Sequence, residues 1–311
     1  MLWTFVLLVF GIVACASAVI IIRLSQIPPV TLAAYRLLGA ALFLSPLFFR
    51  EWRARHGRWP LRQLLTVPFW PALMLALHFI TWIMGARLTP AANASLIVNL
   101  APLVMPFLLY LFLRERINRK EAVATVFALV GVAVLGFSDY TISATFLQGD
   151  VICFVSMLFF SIYLVLGRKN RSGLSLWLYM VPLYFYAFCF CLLCALCLEA
   201  PLRFYGWRET GLALALALIP TVIGHTVLNY AMRRLRGQVV SILSMFQFVF
   251  AGILSYLFFR EVPSATFYGV SFLLTLSGLL VTWGVSREEK AVSRPPAAAT
   301  VTGSGRSQPG R

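Results

Sequence analysis

The 311-residue chain is predicted to be an all-α, polytopic membrane protein, with ten transmembrane helices arranged as two inverted five-helix repeats. Three observations lead there. Hydrophobic residues make up 61% of the chain and charged residues 12%, with mean hydropathy +0.88; soluble domains hold about 45–50% and about 25%. Apolar runs recur at close to the roughly 20 residues that a spanning helix requires. One phrase is written twice, YLFLRE at 110–115 and YLFFRE at 256–261, an offset of 146 residues.

The runs fall near 2–22, 30–49, 68–86, 91–112, 120–137, 150–167, 176–197, 211–232, 238–258 and 264–284. In the first, Ala14-Cys15-Ala16-Ser17-Ala18 offers small residues at a cleavage-like position. No basic n-region precedes it and the apolar stretch continues to Ile22, so it is read as a retained span. The second carries Arg36 and the third His78 and Trp82. The fourth carries Asn93, Asn99, Pro102 and Pro106 and ends on YLFLRE. Gly131 and Gly136 in the fifth suit close helix packing. Cys189, Cys191, Cys194 and Cys197 in the seventh fan over about 200° of a helix, so they do not converge on one metal ion. The eighth holds Pro220, His225 and Asn229, and the ninth holds Gln247 before ending on YLFFRE. After the tenth, residues 287–311 are rich in Pro, Ala, Gly and Ser and read as a disordered cytoplasmic tail.

The net charge of +16 lies in short loops, where it orients the chain instead of marking a nucleic-acid partner. With the N-terminus cytoplasmic, 20 Arg and Lys fall inside and five outside (Arg23, Arg87, Arg203, Arg208 and Arg260), leaving Arg36 within a span. That bias predicts both termini in the cytoplasm of a bacterial-type inner membrane.

The duplication extends beyond the phrase. The same offset pairs Arg87 with Arg233 and Ser95 with Ser241, and places His78 within one residue of His225. Five spans per half, an odd number, turn the second half over, giving units 1–138 and 149–286. Inverted repeats of this kind are a signature of secondary transporters with a site near the bilayer midplane. The stretches ASAVIIIRLSQIPPVTLAAYRLLGAALFLSPL, LTPAANASLIVNLAPLVMPFLLYLFLRERI and GDVICFVSMLFFSIYLVLGRK, with the run at 238–261, occur in an order and spacing that resembles the EamA-type exporters of the drug/metabolite transporter superfamily. Where relatives often carry Trp-Gly in the first span and Glu-Pro in the ninth, this chain has Cys15-Ala16 and Gln247-Phe248. The resemblance implies ten spans in a five-plus-five arrangement, export of a small metabolite, and amino acids or related compounds as substrates.

Charge at the bilayer centre costs about 2.5–3.5 kcal/mol on insertion scales, so each buried polar group poses a question. All ten acidic residues fall in loops, span ends or the tail. Arg36, about two turns into its span, either snorkels outward or faces a cavity and grips a carboxylate or phosphate with its planar fork. The two histidines are interhelical hydrogen-bond partners or, in the absence of a mid-membrane carboxylate, proton carriers. Trp82 and Asn229 follow them by one turn on the same faces. Asn93, Asn99 and Gln247 serve either a substrate or a neighbouring helix. The expected cavity lining is therefore Arg36, His78, Trp82, Asn93, Asn99, His225, Asn229 and Gln247. The prolines of the fourth and eighth spans free backbone carbonyls and kink those helices.

No HExxH, GxSxG or Walker loop is present, so the chain is expected to be neither an enzyme nor ATP-driven, and it calls for no cofactor or metal. The expected function is export of a small organic metabolite by alternating access. Import, or a non-transporting scaffold with its cavity filled by side chains, stand as alternatives. The partners expected are a small-molecule substrate and the lipid bilayer, with no nucleic acid; a homodimer is compatible with the sequence.

Overall fold

A spanning helix needs every backbone group satisfied along its length, so interruptions carry information. The computed structural model describes residues 2–54, 61–116, 144–169, 174–199 and 203–262, with isolated positions between 119 and 134 and between 265 and 276. Every regular element among the described residues is a helix. Eight helices there are long and apolar enough to cross a membrane: α1 (Trp3–Leu24), α2 (Pro29–Ala54), α3 (Leu61–Leu88), α4 (Ala91–Leu113), α5 (Thr145–Lys169), α6 (Leu176–Leu198), α7 (Trp207–Arg234) and α8 (Gly237–Phe259). They correspond to eight of the ten apolar runs. The fifth and tenth runs, apart from isolated helical positions, and the tail at 287–311 lie outside the described residues. Leu42, Phe107, Leu193 and Leu257 project outward and exposed, a surface suited to lipid.

Two helices break at matching places. In α4, Ala91–Val98 and Ala101–Leu113 flank a step at Asn99 and Leu100; in α8, Gly237–Ser244 and Gln247–Phe259 flank a step at Met245 and Phe246. All four boundaries of one pair map onto the other by the same 146-residue offset. Pro102 explains the first step locally, since it has no N–H to return to Val98. Both helices end on a left-handed arginine, Arg114 with φ 56° and Arg260 with φ 58°, the only non-glycine residues with positive φ among those described. The equivalence extends to Arg87 and Arg233. Arg87 donates to the Ser25 carbonyl at 2.9 Å and Arg233 to the Leu174 carbonyl at 2.9 Å, each bracing the loop that follows another helix.

Polar contacts sort the helix termini into two ends of the bundle. At one end Glu209 accepts from Ser25 Oγ at 2.7 Å, Thr89 donates to Asp150 at 2.7 Å, and Glu199 accepts from the backbone N–H groups of Val30 and Thr31. The last contact sets a carboxylate on the N-terminus of α2, where the helix dipole favours it. At the other end Ser175 donates to Glu51 at 2.6 Å and Arg236 to the Arg116 carbonyl at 2.9 Å. The chain runs back and forth between these ends.

Packing is close where small residues allow it. α3 lies along α5, α2 along α6 and α1 along α7. At Gly85 a Cβ would sit 2.6 Å from Cys153 Sγ and 2.9 Å from the Gly149 carbonyl oxygen; at Gly224 it would sit 2.3 Å from Cys15 Sγ. Only glycine admits those approaches. In α6, Cys191 is buried, Cys189 and Cys194 are half-buried and Cys197 is exposed, so the four thiols face different surroundings.

Candidate functional site

The site starts from one missing N–H. Pro220, in α7, cannot donate to the carbonyl of Leu216, and the helix relaxes into a π-helical stretch over Ala217–His225. In that register the Thr221 N–H takes over the Leu216 carbonyl, and Thr221 Oγ1 donates to it as well, at 2.8 Å. Cys15 Sγ reaches the Pro220 carbonyl at 3.7 Å, and Tyr184 Oη donates to the Thr221 carbonyl at 3.0 Å, so α1 and α6 are tied to the distorted stretch. Thr221 Oγ1, its own proton spent on Leu216, accepts from Arg36 Nε at 2.5 Å.

Arg36 is therefore anchored deep in the bundle, 1% exposed, with its guanidinium 3.7 Å above the Phe79 ring. Of the two arrangements open to it in the sequence, the structure adopts the inward one. Among the described residues its Nη1 is buried without a partner, and its one hydrogen bond is to Thr221. A buried guanidinium beside an aromatic face and a hydroxyl, with no carboxylate bound to it, is an uncompensated positive charge.

Around it lies a small buried cavity, with about 30 Å³ available to water centres. That is room for water but far below the roughly 300–1,000 Å³ of pockets that hold a drug-sized ligand. Six expected residues line it: Arg36, His78, Trp82, Asn99, His225 and Gln247. Asn99 and Gln247 sit at the steps of α4 and α8, so the two broken helices meet at the cavity. Asn93 and Asn229 do not line it. Asn93 is half-buried in the first turn of α4. Asn229 is turned to a neighbouring helix, donating to Tyr163 Oη and to the His225 carbonyl at 2.8 Å. Cys15, Phe160 and Leu228 also line the cavity and were not among the residues expected there, being ordinary types for an apolar span. Thr221 was legible in principle, since a hydroxyl beside a mid-helix proline is placed to bond the backbone of the preceding turn.

The two histidines converge, their ring centroids 5.9 Å apart. His78 Nδ1 approaches both the Ser156 carbonyl at 3.2 Å and Ser156 Oγ at 2.8 Å, while Ser156 Oγ donates to the His78 carbonyl at 3.0 Å. The Ser156 hydroxyl proton is thus spent and its carbonyl has none, which assigns the proton to His78 Nδ1. His225 packs edge-on to Phe79 with centroids 4.9 Å apart, and its Nδ1 is buried without a partner among the described residues. Arg36 Nη1 and His225 Nδ1 are thus unused polar atoms on cavity-lining residues.

Removing the Thr221 hydroxyl should be costly twice over. Thr221→Val removes the second bond to the Leu216 carbonyl and leaves Arg36 Nε unpaired, which at about 1–3 kcal/mol for a buried unsatisfied group should lower stability by about 2 kcal/mol. Thermal unfolding in detergent measures it; Thr221→Ser, which keeps the hydroxyl, should recover most of the loss.

Among known proteins, the model of the EamA-like transporter family matches residues 1–137 and 147–284. A protein of Archaeoglobus fulgidus described as an uncharacterized transporter is 26% identical over 204 residues, 65% of this chain and 71% of that protein. Another of the same description, from Methanothermobacter thermautotrophicus, is 25% identical over 295 residues, 88% of this chain and 82% of its own length. A protein of known crystal structure matches with TM-score 0.72 and 17% identity over 91% of this chain and 98% of the other, a likeness of fold.

Proposed function

The chain belongs to the EamA-like transporter family, and from that premise we propose that it is a secondary transporter that exports a small anionic metabolite, an amino acid or related carboxylate, by alternating access. The family places it in the membrane as a multi-pass transporter. The observation that carries the substrate reading is Arg36, buried, aimed at the cavity and left with an unpartnered Nη1. A bundle that served only as a scaffold would gain nothing by burying an unpaired cation, because an apolar side chain in its place is neutral or stabilising. A carboxylate entering the cavity completes the planar fork and turns a cost into binding energy. His225 Nδ1 and the amide of Gln247 are placed to meet the rest of such a solute.

The ten-span, inverted arrangement with halves 1–138 and 149–286 belongs to the same proposal. Its support is the matched steps in α4 and α8 and the left-handed arginines that end them. The 20-to-5 distribution of basic residues supports cytoplasmic termini in the inner membrane, with the tail at 287–311 on that side. The small buried cavity fits an occluded conformer, closed at both ends.

Purified protein in liposomes, preloaded with labelled amino acids and other carboxylates, tests this directly. Efflux of at least one carboxylate, competed by unlabelled carboxylates and untouched by the matching amides, is the expected result. Absence of flux for any solute would return the scaffold reading.

A further inference from the structure

The arginine-glutamate phrase that closes α4 and α8 does more than end two helices. At one end of the bundle, Arg168 Nε and Nη2 reach Glu115 Oε2 at 3.0 and 2.9 Å, while Arg168 Nη1 donates to the carbonyls of Met232 and Leu235. At the opposite end, Arg23 Nη1 meets Glu261 Oε1 at 2.6 Å, its guanidinium lies 5.0 Å from the Phe259 ring, and Ser255 Oγ holds the other carboxylate oxygen. Each ion pair joins the two halves of the chain. Arg23, at the end of α1, crosses to the second-half Glu261; Arg168, at the end of α5, crosses to the first-half Glu115.

Three features set these pairs apart from ordinary surface salt bridges. They are partly shielded, with side chains 10% and 21% exposed at Arg168 and Glu115, and 26% and 34% at Arg23 and Glu261. Their glutamates are equivalent under the 146-residue offset and their arginines fall within one residue of it, yet the pairs lie at opposite ends. And each glutamate follows an arginine held in the left-handed region, where glycine is the favoured residue, so backbone strain is maintained at the same place in both halves. Each glutamate also terminates a helix whose step, at Asn99 or just before Gln247, lines the central cavity. Movement of the helix end and movement of the cavity wall are therefore one motion.

We propose that Glu115–Arg168 and Glu261–Arg23 are the two gates of the transport cycle, each parting in turn to open the cavity at its own end while the other stays closed. This rests on the transporter reading above. Glu115 and Glu261 touch no cavity-lining residue in their pairs, so their substitution acts on access and leaves the binding groups in place.

Cys15 lines the cavity and provides the reporter. In the full chain with the other five cysteines replaced by alanine, the rate at which a membrane-impermeant, charged thiol reagent modifies Cys15 is measured in right-side-out and in inverted membrane vesicles. Glu261→Gln should raise the rate about fivefold from one face only, and Glu115→Gln by a similar factor from the other face. The swapped pairs Arg23→Glu with Glu261→Arg, and Arg168→Glu with Glu115→Arg, should restore the slow rate, which a merely structural role for either residue would not. High salt on one face of the unsubstituted pairs should mimic the variant of that face, which covers a substitution that fails to fold. Opening to the same face in both variants, or no change in either, overturns the gates. Solute flux recorded in the same vesicles keeps the two proposals apart. Flux without opposite-face labelling removes the gates alone, whereas opposite-face labelling without flux removes the transporter reading alone.

Discussion

Replacing Arg36 with methionine should abolish carboxylate transport while leaving the protein at least as stable as before. The two halves of that expectation have one cause. Among the described residues the guanidinium meets a hydroxyl and an aromatic face but no carboxylate, so its burial is a standing cost. An unbranched apolar side chain of similar length removes the cost, and Thr221 keeps its bond to Leu216. Loss of a charge-assisted contact to the substrate is worth about 3 kcal/mol or more, a fall in affinity of about 100-fold or greater. Lysine keeps the charge but lacks the fork and cannot reach Thr221 through an Nε–H, so Arg36→Lys should weaken binding about tenfold. Substrate-concentration dependence of flux, alongside thermal unfolding, gives both readings. A drop in unfolding temperature on Arg36→Met, with transport intact, would assign the residue to the frame of the bundle.

Gly85 should prove the least tolerant position for folding. Its Cβ would meet three atoms of α5 at 3.0 Å or less, and two of them, the Gly149 oxygen and the Cys153 nitrogen, are backbone. No rotamer change moves those. Gly85→Ala should cost about 2–3 kcal/mol and Gly85→Val more, read as lost unfolding temperature and lost yield from membranes. Adding Cys153→Ala removes only the Sγ contact at 2.6 Å and should recover a minor part. Because α3 carries His78 and Trp82 and α5 carries Phe160, separating the two helices also distorts the cavity.

The residues that sequence reasoning placed at the cavity were the conspicuous ones. Arg36, His78, His225 and Gln247 interrupt apolar runs, and a polar group in lipid has few places to go. Trp82 follows His78 by one turn and shares its face. Asn229 obeys the same spacing from His225 but is drawn off by Tyr163, a partner on a helix far away in sequence. Cys15, Phe160 and Leu228 carry no sequence signal because cavity and core use the same apolar residues. The step in α4 has a local cause in Pro102, whereas the step in α8 has none, since Phe248 stands at the equivalent position. Only the 146-residue equivalence announces it, which makes the repeat a better predictor of backbone shape there than any local rule.

The pairing of like bonds at opposite ends bears on energetics as well as on access. Opening one end breaks an arginine–glutamate contact and leaves its counterpart intact, whichever end is chosen. In the gate proposal each open form loses one arginine–glutamate contact and keeps the other, and the closer two such forms lie in free energy, the more readily a weakly bound solute tips them.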